Sequence, residues 1–393
     1  MSEDSVVIVS GARTPMGGLN GSLSTATAVE LGAAAISATV DRSGVAAQDI
    51  EQVVMGCVLQ AGAKQGPARQ AAIHAGIPKA TGAVTVNKLC GSGMQAVVYA
   101  HDMIKAGTAS IALAGGMESM SNAPHLLPAS RSGIGTGDKT LYDHMFLDGL
   151  SDAYTGKAMG TFAQSMADDN EISREAMDAF AIESTIRAQK AIADGSLKAE
   201  MVPVTMTTRK SESVIESDEQ PGKARLDKIP ALRPAFTKDG TITPANSSSI
   251  SDGASALMLM TESAANARGL KPLARIIAHS SHSQEPSLFT TAPIGSIEKV
   301  LVKAGWAKDD VDLWEINEAF AMVTMLAIDK LGLDHAKVNI HGGACAQGHP
   351  IGSTGSRIIV TLMHALQHYG KKKGIASLCI GGGEALSVAI EAM

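Results

Sequence analysis

The chain has 393 residues, 45% of them hydrophobic, 18% charged and only 3% aromatic, a make-up that excludes a disordered chain and leaves room for two or three globular domains. A formal net charge of −6, with no basic run longer than Lys371–Lys373, argues against nucleic acid as a partner, and the scarce aromatics argue against a base-stacking platform. No apolar run nears the roughly 18 residues of a membrane span, and the four cysteines form no C-x-x-C pair, which excludes a disulfide framework or zinc ribbon and points to a reducing, cytoplasmic setting.

In chain order, an acidic start passes directly into Val6-Val7-Ile8-Val9, a strand and not a signal sequence. An apolar-periodic helix follows over Val29–Val40, and a short strand closes on Gly56. Next comes Val86-Asn87-Lys88-Leu89-Cys90-Gly91-Ser92-Gly93-Met94, with helical periodicity from Met94 to Lys105. A cysteine at this strand-to-helix junction sits where the helix dipole and free N–H groups can lower a thiol pKa from about 8.5 into a range of roughly 3.5–7.5. Read alone, Cys90 is better explained as a small buried hydrophobe, as most free cysteines are.

Residues 119–248 lose the strand–helix alternation. They hold a helix from Ser173, its N-cap, to Asp194, and a polar tract from Thr207 to Asp239. Downstream, a helix over Ile297–Lys303 and a strand ending near Asn317 lead into a helix over Ala321–Lys330, which Asn317 is placed to cap. In Gly342–Gly355 the glycines and Pro350 forbid a regular helix before about Ser353, so His341, Cys345 and His349 share no helical face and no metal is expected there. The last apolar strand runs into Leu378-Cys379-Ile380-Gly381-Gly382-Gly383-Glu384, whose exposed N–H groups suit an anion.

The chain repeats itself. Gly44–Gly56 matches Gly305–Asn317, 261 residues on, and Ile111–Glu118 echoes Ser377–Glu384. Both matches read as βα units with Val/Ile-rich strands, hence a largely parallel sheet covered by helices. Something is inserted between the halves, and residues 119–248 are the candidate. Equivalent loops of two packed halves would meet at their interface, where small-molecule sites occur.

Separately these signals are weak; together they form a set. Cys90-Gly-Ser-Gly, Asn317-Glu318-Ala319-Phe320, Gly348-His349-Pro350 with Gly352, and Cys379 with Gly381–Gly383 resemble the thiolase family in order and spacing. So do Ser10-Gly11-Ala12-Arg13-Thr14-Pro15, Gly115-Gly116-Met117-Glu118-Ser119-Met120 and Leu232-Arg233-Pro234-Ala235-Phe236, so the resemblance spans essentially the whole chain. It is similar above all to the biosynthetic, acetyl-CoA acetyltransferase type. The resemblance implies an α/β fold of two pseudo-symmetric βα-repeat domains with mixed sheets covered by helices, residues 1–118 with 249–270 and residues 271–393. A loop domain, 119–248, would bind coenzyme A and carry oligomerisation, commonly to a homotetramer.

The same resemblance implies reversible Claisen condensation of two acetyl-CoA to acetoacetyl-CoA and CoA. Coenzyme A is then substrate and product, with no permanent cofactor and no metal, within fatty acid metabolism. Cys90 would carry the acyl group, His349 would take its proton, and Cys379 would deprotonate the second acetyl-CoA. One oxyanion hole would use His349 and a water held by Asn317; the other, the N–H groups of Cys90 and Gly381. Ser248 matches the pantetheine contact, and Leu150, Met159, Phe236 and Phe320 match pocket walls. Lys223, Arg225 and Lys228 could meet the CoA phosphates or could simply be solvated. The alternatives are a degradative 3-ketoacyl-CoA thiolase for longer chains, a decarboxylating ketosynthase and a non-catalytic acyl-CoA binder. The chain departs from the family pattern at Ala158, where histidine is common, in a tract one residue short before Leu226-Asp227, at His341, and at Glu384-Ala385, which replaces an apolar–glycine pair.

Overall fold

The computed structural model describes residues 4–207 and 212–393; the very start of the acidic N-terminus and part of the Thr207–Asp239 polar tract lie outside the described residues. The first half comprises strands β1 (Val6–Arg13), β2 (Gly17–Gly18), β3 (Gln52–Gly56), β4 (Gly82–Val86) and β5 (Ile111–Ser119), with helices α1 (Ala28–Ser43), α2 (Pro67–His74) and α3 (Ser92–Lys105). Every residue of β1 is buried, and its alternation sends Val6 and Ile8 to one apolar cluster and Val7 and Val9 to another. The first cluster holds α3 and the second holds α1, so helices cover both faces of the strand. A capping box starts α1: Glu30 N–H donates to Thr27 Oγ1, and Thr27 N–H to Glu30 Oε2.

An excursion follows, with short strands β6 (His125–Leu126), β7 (Tyr142–Asp143), β8 (Val204–Thr207) and β9 (Glu212–Ile215) and helices α4 (Met159–Asp169), α5 (Arg174–Ala193) and α6 (Glu219–Lys223). Ser173 caps α5, its side chain accepting from Ala176 N–H. This segment is tied down by Arg13, whose fully buried guanidinium pairs with Glu200 and Asp218. Burial alone would lower the Arg13 pKa, but the two carboxylates outweigh it and hold the group charged.

The chain then returns through β10 (Ser251–Thr261) and α7 (Glu262–Ala267). The second half adds β11 (Ala274–Ser283), β12 (Leu313–Ile316), β13 (Lys373–Ile380) and β14 (Glu384–Ala392), with α8 (Ala292–Ala304), α9 (Ala321–Leu331), α10 (Ala344–Gln347) and α11 (Thr354–His368). The repeat is visible in three dimensions. α1 and α8 both end on left-handed glycines, Gly44 at φ 70° and Gly305 at φ 67°, and each leads through a 3₁₀ turn into β3 or β12. The second echo holds only along the strand. β5 continues through Glu118, whereas β13 stops at Ile380 and Gly381–Gly383 turn the chain back into β14.

The sheet is mixed, not largely parallel. Its order is β12-β13-β14-β11-β1-β10-β5-β3-β4, with β2 on β10, and only β12–β13, β3–β4 and β3–β5 are parallel. The central strands are antiparallel because the long return from the excursion sets β10 back against β5, and the tight Gly381–Gly383 turn sets β14 back against β13. The halves fuse into one ten-stranded sheet through a two-residue ladder, Val7 with Arg275 and Ile8 with Ala274. α3 and α11 meet at their N-terminal turns: a Cβ on Gly355 would lie 2.4 Å from Met94 N, and one on Gly93 would lie 2.8 Å from Ser356 N. Glycine is required for this approach. It brings together the loops just before the two helices, which hold Cys90 and His349.

Candidate active site

Between β4 and α3 the chain makes a tight loop in which Leu89 takes the left-handed conformation at φ 48°. Lys88 N–H donates to Ser92 Oγ at 2.8 Å, and that hydroxyl donates to Leu89 O at 2.6 Å, closing the loop around Cys90. Cys90 is half-buried and lines a largely apolar cavity of about 450 Å³. Its thiol pKa is pushed up to about 11 by burial, against the N–H groups of Gly381 and of Cys90 itself. The sequence expectation of a lowered pKa is therefore corrected: the loss of solvation at the packed junction exceeds what the helix end returns. Alkylation of Cys90 by iodoacetamide should accordingly climb about tenfold per pH unit from about pH 7 to about pH 9. A plateau reached near neutrality would instead mean a resting thiolate.

His349 and Cys379 line the same cavity. His349 Nδ1 lies 2.6 Å from Thr354 Oγ1, and that hydroxyl donates to Pro350 O at 3.0 Å. Thr354 Oγ1 must then accept from Nδ1–H, which leaves Nε2 with a free lone pair. Nε2 makes no hydrogen bond among the described residues, and burial, aided by Arg357, holds the ring neutral with its pKa lowered to about 3. Cys379, 1% exposed at the end of β13, has its pKa raised well above the ordinary thiol range by burial first and by neighbouring Cys90 second. At rest the site thus holds two neutral thiols and one neutral base.

Gly381, Ser248, Leu150, Met159, Phe236 and Phe320 all line this cavity, as does Ala158 at the position of the missing histidine. A Cβ on Gly160 would lie 2.1 Å from the Phe236 ring, so a side chain there would displace that wall of the cavity. Asn317 is buried and does not line the cavity; its N–H extends the β12–β13 ladder to Ser377 O at 2.9 Å, and its side-chain amide has no hydrogen-bond partner among the described residues. It does not cap α9 either, since Phe320 occupies that position. Lys223, Arg225 and Lys228 do not line the cavity; Lys223 pairs with Glu219, and the other two lie 3.8 and 3.6 Å from Asp227. α10 gives one helical turn where none was expected, but Gly348 at φ 108° ends it before His349. Away from the cavity, His101 Nδ1 and His279 Nε2 lie 2.9 and 3.0 Å from the same Asp102 oxygen, so these nitrogens are already engaged with a carboxylate.

Two family models cover the chain: the thiolase N-terminal domain matches residues 6–263 and the thiolase C-terminal domain residues 270–392. The chain belongs to the thiolase family. It is 46% identical over 388 residues to an acetyl-CoA acetyltransferase of Cupriavidus necator, covering 98% of this chain and 99% of that one. An acetyl-CoA acetyltransferase of Escherichia coli is 47% identical, with 98% of each chain covered. Among solved structures, the Bacillus anthracis acetyl-CoA acetyltransferase superposes with a TM-score of 0.97 at 38% identity, with 99% of each chain covered. A thiolase from Ascaris suum in complex with coenzyme A gives 0.94 at 39% identity, covering 99% of this chain and 100% of that one.

Several residues of this thiolase site escaped the sequence reading. Thr354, which fixes the His349 tautomer, is five residues downstream at the start of α11; a hydroxyl so placed was the available signal. Ile351 and Phe289 supply further apolar wall. Glu118 was seen only as part of a motif. Its carboxylate accepts from the N–H groups of Val58 and Gly352 at 2.9 Å and of Leu59 at 3.1 Å, so it pins the His349 loop to the first half. Burial raises its pKa to about 7 against those bonds.

Proposed function

We infer that this chain is an acetyl-CoA C-acetyltransferase, reversibly condensing two acetyl-CoA to acetoacetyl-CoA and CoA. The names of its full-length relatives support the activity. The observation that carries the mechanism is that both thiols, His349 and Gly381 line one cavity. Cys90 Sγ attacks the first thioester as His349 Nε2 takes its proton. The proton passes to the departing CoA thiolate, leaving acetyl-Cys90 with its oxygen toward the N–H groups of Cys90 and Gly381.

Cys379 then passes its proton to His349 and, as thiolate, abstracts a proton from the methyl of the second acetyl-CoA. The imidazolium Nε2–H and a water held by the Asn317 amide stabilise the enolate oxygen. The carbanion attacks acetyl-Cys90, and the released Cys90 thiolate recovers the proton from His349. A thiol suits both tasks, since it leaves as readily as it attacks and can trade protons near neutrality.

Coenzyme A is substrate and product. Its pantetheine arm runs past Ser248, Leu150, Met159, Phe236 and Phe320, with Lys223, Arg225 and Lys228 near its phosphates. Residues 119–248 form the loop domain between the halves 1–118 with 249–270 and 271–393. Exposed Leu141, Tyr142, Phe146 and Leu147 support that segment as the contact for a homotetramer. We assign the enzyme to the cytoplasm, in accord with its four free cysteines, and to fatty acid metabolism by its family resemblance. CoA-dependent thiolysis of acetoacetyl-CoA by the purified protein tests the reading. Turnover faster than on a medium-chain 3-ketoacyl-CoA is expected. A preference for the longer substrate would assign a degradative thiolase, and no turnover on either would reject the activity.

A further inference from the structure

Glu384 departs from the family pattern, and the structure gives it a partner. It opens β14 directly after the Gly381–Gly383 turn, five residues beyond Cys379. Its Oε2 meets the ammonium of Lys88, two residues before Cys90, and its Oε1 accepts from Ser283 Oγ of β11 at 3.3 Å. The Lys88 and Glu384 side chains are 24% and 35% exposed, so the pair is neither buried nor free in solvent. One end thus stands on the loop of the nucleophile and the other on the turn that carries Gly381.

Both loops are stiff. The Cys90 loop is closed by the Lys88–Ser92–Leu89 hydrogen bonds, so a displacement of Lys88 is passed on to Cys90. On the other side Gly382 and Gly383 hold φ of 86° and 88°, and Gln284 N–H donates to Gly383 O at 2.8 Å. The two loops already touch: a Cβ on Gly91 would lie 2.4 Å from Ile380 Cδ1, and one on Gly381 would lie 3.2 Å from Leu89 Cδ1. Apolar contact sets a minimum separation but offers little directional resistance to sliding, whereas an ion pair held by a third group resists both.

We infer that Lys88 and Glu384 form a clip that fixes the spacing of the Cys90 loop against the Gly381 turn, and that both are positioning residues for acyl transfer to Cys90. The inference rests on the proposed acyltransferase reading. It places Gly381 N–H where negative charge develops on the acyl oxygen, and a site loosened by a fraction of an ångström loses transition-state stabilisation rather than substrate affinity.

The test uses the full chain with Glu384→Gln, Lys88→Met and the exchange K88E/E384K. Glu384→Gln and Lys88→Met should each lower kcat by about three- to tenfold with KM for acetyl-CoA changed by less than about twofold. Both should also slow iodoacetamide alkylation of Cys90 at fixed pH, and the exchange should restore most of both losses. Melting temperatures, expected to move little for a half-exposed pair, separate this from unfolding. Wild-type kcat and alkylation in both single variants would overturn the clip, as would an exchange variant no better than the singles. Should the wild type itself fail to turn over, the acyltransferase reading falls, while the alkylation comparison still decides whether the pair positions Cys90.

Discussion

Cys379→Ser is expected to accept an acetyl group from acetyl-CoA yet to lose condensation and thiolysis by roughly 10²–10⁴-fold. Serine keeps the size and hydrogen-bonding character of the side chain, so the cavity wall survives. An alcohol, however, has no accessible anion near neutrality, and the methyl of an acetyl thioester gives up its proton only to a placed base. In the proposed mechanism the half-reaction at Cys90 uses Cys90, His349 and the N–H groups of Cys90 and Gly381, none of which this change removes. Exchange of label between CoA and acetyl-CoA follows the first step, and acetoacetyl-CoA formation follows the second. Condensation within about tenfold of wild type would end the acid/base assignment of Cys379.

Cys90→Ala has the larger expected effect, a loss of roughly 10⁴-fold or more in both steps, because no group remains to carry the acyl chain between them. Cys379 cannot take over: its pKa is raised well above the thiol range, and it lies deeper, at 1% exposure. Retained label exchange in Cys90→Ala would place the acyl group elsewhere. The side chain is half-buried and small, so its truncation removes little packing, and a protein that still melts cooperatively separates lost chemistry from lost fold.

Much of this was legible because glycine and its neighbours encode geometry. Gly44 and Gly305 mark equivalent helix ends, and Gly93 and Gly355 permit the helix contact that joins the two reactive loops. The cavity residues carried over with the family motifs, since Ser248, Leu150, Met159, Phe236 and Phe320 all face the same space. What could not be read depends on long-range packing. The direction of the Cys90 pKa is set by solvation lost to parts of the chain far away in sequence, while the helix end that predicted a decrease is local. Likewise the fusion of both halves into one sheet rests on two residue pairs of β1 and β11, which strand composition does not reveal. Charge alone marks Lys223, Arg225 and Lys228 as candidates for the CoA phosphates; in the structure Lys223 pairs with Glu219 and the other two lie near Asp227.

Acetylation of the wild-type protein is the most direct test of the claim that Cys90 carries the acyl group. The protein would be mixed with acetyl-CoA alone, quenched in acid, digested and mapped by mass spectrometry. A single thioester-linked acetyl on the peptide containing Cys90, removed by added CoA, is the predicted result. An acetyl on the Cys379 peptide, or none on either while acetoacetyl-CoA is still formed, would contradict the account.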